Sequence, residues 1–404
     1  MDAPAKWHEN DWDAVFAGKA VAQRYYLRSG LVRKDRLLHF VPSKRHPTTR
    51  VVRSLLELQR HLQELGVRPT RLDRGHKEAV KYVLKKAQSS NASGIRFFTE
   101  EEADAIVQIP TEPPWLALLG LVALLWTLHA TPRRRWERRL CTAALLALSL
   151  QQLRNAWRAR KCAGELLGGA DVWVLQRNVT PYLHEGRKFH LRALLLCVGD
   201  LTAYLHEEVR VLLATQPYND QDGNREAVHV TNMGVNQEVT GYSESKQNMS
   251  LDELGEVSSE IFQQLCEVLT RTLNNLRTTG RRHFFTLPNC FDAWLGFPAN
   301  PASTDSSSIH ASRSLLLLPG WELFGVDFLV NSAREVLLLE VNPSPSLAMY
   351  RGSYGDLLGV ESPLQEPLPS QWRRLPLMVA SSLEDLERSQ SPSSEGTHAR
   401  FHAT

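Results

Sequence analysis

An α/β chain of the mixed, α+β kind is predicted by three features of the sequence. Strand-like runs, alternating or continuously apolar, occur at 172–176 (VWVLQ), 189–205, 321–330 (WELFGVDFLV) and 334–342 (REVLLLEVN). Helical periodicity lies between them, most clearly over 251–277. The composition, 43% hydrophobic and 23% charged over 404 residues, is that of a globular chain long enough for about two or three domains.

In chain order, residues 1–110 read as a small basic N-terminal domain. Val51, Leu55, Leu58, Leu62 and Leu65 recur at helical spacing until Gly66 stops the helix, and HKEAVKYVLKKAQ (76–88) reads as a second helix. Residues 111–169 are apolar and atypical. Within them, 113–132 contain no Asp, Glu, Lys or Arg and are followed by Arg133, Arg134 and Arg135, the flank a membrane span would want. The apolar centre, Trp115 to Leu128, would cover about 21 Å as a helix, against a hydrocarbon thickness of roughly 30 Å. A buried segment, or one foreign to the fold, is therefore favoured over a membrane anchor, which stays as the alternative. Residues 170–360 carry the strands and form the core. The tail, 361–404, is rich in Ser, Pro and charge and reads as disordered.

The net charge of +3 conceals a polarised chain: residues 1–200 carry +14 and residues 201–404 carry −11. A basic half attracts phosphates or an acidic protein segment, and an acidic half can need a divalent cation; two solvated faces are the plainer alternative. Five widely spaced cysteines without a CxxC pair argue against a disulfide framework or a zinc site. The start, MDAPAKWHENDWD, has no apolar run behind a basic region, so a cytoplasmic setting is expected.

The segment 321–342 carries the strongest chemical signal. A two-residue hairpin on Ser332 and Ala333 would set Asp327 opposite Leu338, with Glu340 and Asn342 following on the same face by the period of two. Three oxygen ligands would then converge on an otherwise apolar hairpin, where a hard divalent cation such as Mg²⁺, with phosphate oxygens, supplies the missing counter-charge. The alternative is the solvent-facing polar side of an edge hairpin. Lys188, His190 and Arg192 project from one strand face at spacing two and could clamp phosphate, while Gln176 could meet an adenine edge. His229, Thr231 and Asn232 are ordinary loop residues in isolation.

The runs VLQRNVTPYLHEGRKFHLR, ATQPY followed by HVTN, and ELFGVDFLVNSAREVLLLEVNPSPS, in that order, resemble the tubulin-tyrosine ligase family, as does YYLRSGLVRKDRLL at 25–38. The resemblance implies an ATP-grasp-like core and ATP- and Mg²⁺-dependent ligation of tyrosine, glutamate or glycine to a protein carboxylate through an acyl phosphate. Its partners would be a free amino acid and tubulin or another acidic protein tail, with no nucleic acid, in a cytoplasmic and cytoskeleton-associated setting. It makes Asp327, Glu340 and Asn342 metal ligands, Lys188 and Arg192 the catalytic cations, and Gln176, Lys188, His190, His229, Thr231 and Asn232 the ATP-binding set. His190 stands where the family pattern has an aspartate, and Leu212 where it has an arginine, with Arg210 two residues away. The family's phosphate-binding lysine, in a strand of the form W-I-x-K before a Gly-rich turn, is expected where the apolar segment lies, and no lysine occurs between Lys86 and Lys161. A catalytically degenerate member that binds microtubules or another acidic protein is the alternative reading.

Overall fold

The computed structural model describes residues 7–16, 19–67, 80–89, 94–109, 172–199, 201–219, 225–231, 243–279, 320–350 and 368–377, with parts of 122–168. Asn232, most of the 113–132 run and the tail beyond 377 lie outside the described residues. Among the described residues no helix is long and apolar enough to cross a membrane.

Two antiparallel sheets organise the chain. The smaller has the order β1 (Thr49–Val52), β4 (Trp173–Arg177), β2 (Val80–Lys86), β3 (Ile95–Thr99). Alternation divides its faces: Tyr82, Leu84, Phe98, Trp173 and Leu175 pack with Leu55, Leu58 and Leu62 of the helix Leu55–Glu64 into one core. Ser54 caps that helix by accepting from Glu57 N at 3.2 Å, and Thr99 and Glu102 form a capping box on the helix Glu100–Val107.

Three expectations change here. Residues 80–86 are a strand, not the end of a second helix; the repeated lysines imitate helical spacing, but Val80, Tyr82, Val83 and Leu84 are buried between two pairing strands. Val51 lies in β1 rather than in the helix that follows it. Strand 173–177, assigned to the core by position in the sequence, instead sits between β1 and β2 and completes the N-terminal sheet.

The larger sheet is built on β6 (Arg187–Val198), whose length lets it pair with β10 (Trp321–Val330) on one side and with both β7 (Thr202–His206) and β8 (Arg210–Leu213) on the other. β11 (Val336–Pro343) extends it beyond β10 and β9 (Asn248–Ser250) beyond β8. Phe189, Leu191, Ala193, Leu195 and Cys197 of β6 face the helix Ser258–Thr279 through Ile261, Leu265, Val268, Leu269 and Leu273. On the other face, Leu194 and Leu196 meet Leu212, Leu323, Tyr350 and Trp372. Part of the tail expected to be disordered is ordered: β12 (Trp372–Arg374) pairs with β7 because Trp372 and Leu375 supply apolar anchors in a Ser/Pro-rich stretch.

A fully buried carboxylate joins the N-terminal segment to this sheet. Glu322 of β10 accepts from Tyr25 N at 3.0 Å, pairs with Arg28, and lies 3.5 Å from Arg24. Burial pushes the Glu322 carboxyl up, and the two guanidinium groups work against that.

Candidate functional site

The two sheets turn their remaining faces toward each other around a cavity of about 130 Å³. Val83, Lys85, Ile95, Phe97 and Gln176 come from the smaller sheet; Lys188, His190, Asp327 and Glu340 come from the larger. These are the positions that alternate with the core residues on β2, β4 and β6, so the pattern that buries one face aims the other at the cavity. Lys34, Ser89, Arg177, Asn178, His229 and Thr231 complete the polar lining.

Local chain geometry places each group. The Glu185–Gly186 turn, with both φ values positive, closes a two-residue hairpin between Leu183–His184 and Arg187–Lys188 and so fixes Lys188 at the cavity end of β6. The β10–β11 hairpin differs from expectation. Its loop has three residues, because Asn331 Oδ1 accepts from Ala333 N and Glu335 N at 3.0 and 2.8 Å and Arg334 takes the left-handed conformation with φ 63°. A second one-residue shift, between Asp327 and Phe328, moves Asp327 opposite Glu340 instead of Leu338. The two shifts sum to two residues, so the expected shared face survives although the register does not.

Across three strands, Arg192, Asp327 and Glu340 therefore stand in one row. Arg192 donates to both oxygens of Asp327, by Nε to Oδ1 and by Nη2 to Oδ2 at 2.8 Å. Burial pushes the Asp327 carboxyl up against the pull of Arg192, to about 6; burial also opposes the Arg192 charge, but Asp327 raises its pKa on balance. Lys34 Nζ lies 2.9 Å from Glu340 Oε2, and although burial opposes ionisation, Lys34 and then Lys85 hold Glu340 down at about 2.

The Asn342 amide donates to Asp327 Oδ2 at 3.0 Å and to Glu340 Oε1 at 3.1 Å. Two carboxylate oxygens thus converge on one donor group, which is where a hard cation fits, and turning the amide over would offer its oxygen to that cation. Among the described residues no group of three or more His, Cys, Asp or Glu could hold a metal ion by itself. The donor set is two carboxylates and an amide, which suits a magnesium ion that takes its remaining ligands from phosphate and water.

His190 Nδ1 lies 2.5 Å from Thr231 Oγ1, and Nε2 lies 3.7 Å from Asp327 Oδ1. Burial, then Arg192, pushes its pKa down to about 3, so the ring is neutral. His229 sits between Phe97 and Tyr218, with ring centroids 5.3 and 5.4 Å away. Gln176 donates to Thr49 Oγ1 at 3.1 Å, which fixes the orientation of its amide. Leu212 is directly opposite His190 but packs into the apolar cluster, while Arg210 is held by Asn248 and Glu208.

Lys85 is the residue the sequence reading missed. It extends from β2 into the cavity, and burial pushes its pKa down to about 8, partly offset by Glu340. It is the fourth residue of YVLK (82–85), in a strand that pairs antiparallel with β3. The alternation of VKYVLKK carries that signal, although its lysines imitate helical spacing. Lys34, in the RK pair of YYLRSGLVRKDRLL, carried a resemblance without an assigned role; it reaches Glu340 and Ser89 O, each at 2.9 Å.

Two sheets facing a cavity, with lysines on both walls and two carboxylates in its lining, define an ATP-grasp-like fold. Residues 25–297 and 313–355 match the tubulin-tyrosine ligase family. The chain belongs to that family of ligases. It is 24% identical over 375 residues to a probable tubulin–tyrosine ligase of Schizosaccharomyces pombe, covering 84% of this chain and 75% of the relative. It is 32% identical over 176 residues to a tubulin polyglutamylase of Caenorhabditis elegans, covering 42% of this chain but only 22% of the relative. Among solved structures, the C-terminal domain of K. lactis Pby1, described as an ATP-grasp enzyme interacting with the mRNA decapping enzyme Dcp2, aligns over 93% of this chain and 87% of that one, with 17% identity and a TM-score of 0.49.

Proposed function

We propose that this protein is an ATP- and Mg²⁺-dependent ligase that joins the amino group of tyrosine, glutamate or glycine to a protein carboxylate on tubulin or another acidic tail, in the cytoplasm and in association with the cytoskeleton. The observation that carries the reading is the meeting of Asp327 and Glu340 with Lys34, Lys85 and Lys188 around one cavity between two sheets, the carboxylates being held from behind by Arg192 and Asn342. Bound ATP would supply a phosphoryl group to the acceptor carboxylate, releasing ADP; attack of the amine on that acyl phosphate would then release phosphate. The residues would hold and orient: Lys85 and Lys188 line the cavity from its two sheets, Gln176 and His229 in the same lining would meet the base, and Arg192, fixed by Asp327, would meet developing phosphate charge. Acidic tails would be drawn by the +14 of the first two hundred residues.

The test combines labelled tyrosine, glutamate or glycine with ATP, the full chain and tubulin, and follows ¹⁸O from the acceptor carboxylate into released phosphate. Label in the phosphate together with incorporated amino acid supports the acyl-phosphate route. Nucleotide binding without incorporation of any amino acid into any acidic protein would favour the second reading, a non-catalytic binding protein. The exchange of two charged positions of the family pattern for His190 and Leu212, which face each other on β6 and β8, is what motivates that reading.

A further inference from the structure

We propose, resting on the ATP-binding reading given above, that Thr49 fixes the direction of the Gln176 amide and thereby makes the cavity select a 6-aminopurine nucleotide over a 6-oxopurine one.

Strand pairing sets the cavity face of the smaller sheet in rows. One row runs Thr49, Gln176, Val83, Phe97, each residue directly opposite the next. The adjoining row, two residues along every strand and about 7 Å away, runs Val51, Val174, Lys85, Ile95. Lys85 shares the cavity with Glu340 and Asp327, whose charges act on it, so phosphate belongs at that row. The row of Gln176 is uncharged. It sets one amide beside Val83 and Phe97, and the His229 ring centroid lies 5.3 Å from that of Phe97. A flat base suits such a surface, with its polar edge turned to the amide.

A primary amide can present either a donor or an acceptor, depending on which way it is turned. Here a chain of hydrogen bonds decides the matter. The carbonyl of Pro47 can only accept, and it takes the Thr49 hydroxyl at 2.7 Å as well as His46 Nδ1 at 2.7 Å. A hydroxyl has one proton, so with that proton on Pro47 the Thr49 oxygen can only accept in its turn. Gln176 Nε2 therefore donates to it at 3.1 Å. Thr49 and Gln176 are both buried, so the amide cannot exchange this partner for bulk water. Turning it over would set its oxygen against the lone pairs of Thr49, which leaves Gln176 Oε1 as the end that meets a ligand. The 6-amino group of adenine is a donor and satisfies that oxygen. The 6-oxo group of hypoxanthine or guanine is an acceptor and opposes it. Thr49 acts through Gln176 and is a positioning residue.

The experiment measures the Kd of ATP and of ITP, which carries a 6-oxo group in place of the 6-amino group, for the full chain with Mg²⁺ by calorimetry. The unaltered protein is expected to favour ATP by roughly 5- to 150-fold, the effect of setting one buried acceptor against another. Thr49→Val keeps the shape and removes the hydroxyl, so the amide is free to turn and the ratio should fall toward one. Thr49→Ser keeps the hydroxyl and should keep the ratio. A loss of packing alone would weaken both nucleotides together and leave the ratio where it was. Equal affinities in the unaltered protein would overturn the proposal, as would a folded Thr49→Val variant that retains the full preference. If the valine variant does not fold, Thr49→Ala carries the same comparison. Failure of both nucleotides to bind the unaltered protein removes the ATP reading itself, an outcome distinct from an unchanged ratio.

Discussion

Replacing Glu322 by glutamine is expected to destabilise the protein by about 3 to 5 kcal/mol, the range for breaking a buried ion pair. The carboxylate is fully buried, and Arg24, with a side chain 2% exposed, would lose the carboxylate charge 3.5 Å away. Arg28 is 20% exposed and can recover part of its hydration, which places the cost toward the lower end of that range. Glutamine keeps an oxygen for Tyr25 N, so the loss measures charge and not an orphaned backbone donor. A typical domain has about 5 to 15 kcal/mol in all, so the variant should remain folded but with a clearly lowered midpoint. The assay is urea unfolding followed by tryptophan fluorescence, with Trp321 next to the site as a reporter. The decisive comparison is the triple variant Arg24→Met, Arg28→Met, Glu322→Gln, which removes all three charges and should recover most of the loss. A triple variant as damaged as the sum of the three single variants would refute the ion-pair account and assign the cost to packing.

Other expectations are as direct. Glu340→Gln should abolish Mg²⁺-dependent ATP binding in calorimetry while the circular dichroism spectrum stays unchanged; unaltered affinity would remove the metal assignment. Lys85→Ala should weaken ATP binding by about 1.5 to 3 kcal/mol, the value of a charge-assisted contact, or roughly 10- to 150-fold in Kd. Lys188 is held at about 8 in the free protein, chiefly by burial, and bound phosphate would raise that value. Lys85 is held at about 8 in the same way, so ATP affinity should fall as pH rises above about 8, by up to about tenfold per unit for each lysine, and Lys188→Met should leave only the part due to Lys85. Binding of the full chain to a glutamate-rich peptide should weaken steeply with salt, since exposed charges are screened over about 8 Å at physiological ionic strength, and a salt-independent affinity would count against the basic half as the docking surface.

What could be read in the sequence, and what could not, follows the range of the interactions. Asp327, Glu340 and Asn342 share a face because strand side chains alternate, a rule needing only neighbours, and it survived a two-residue error in register. The register depended on one asparagine side chain and a left-handed arginine, which the loop sequence NSAR does not distinguish from a two-residue turn. Strand 80–86 was misread because its lysines suggest a solvated helix; that Lys85 is buried against Glu340 depends on a residue more than 250 positions away. The same separation hides Lys34, whose partner is also Glu340. The place of β4 within the N-terminal sheet depends on pairing from Thr49 to Gln176, which no local pattern announces.

That pairing has a consequence for what the chain can tolerate. β3 ends at Thr99 and β4 begins at Trp173, and between them Ala103, Ile106, Ala163, Leu166 and Leu167 pack on the core of the sheet, tying down the first and last parts of the excursion. The free energy of closing such an excursion grows with the logarithm of its length, by about 0.6 kcal/mol for each doubling. Changing the length of the excursion between residues 111 and 162 is therefore expected to perturb the cavity little, provided Leu166, Leu167 and Trp173 stay packed with Leu58 and Leu84. A polypeptide folding as it leaves the ribosome, however, must hold β1 and β2 apart until residue 177 has emerged. The first hundred residues are a surface awaiting its central strand, and studies of this region are best made on chains that include it.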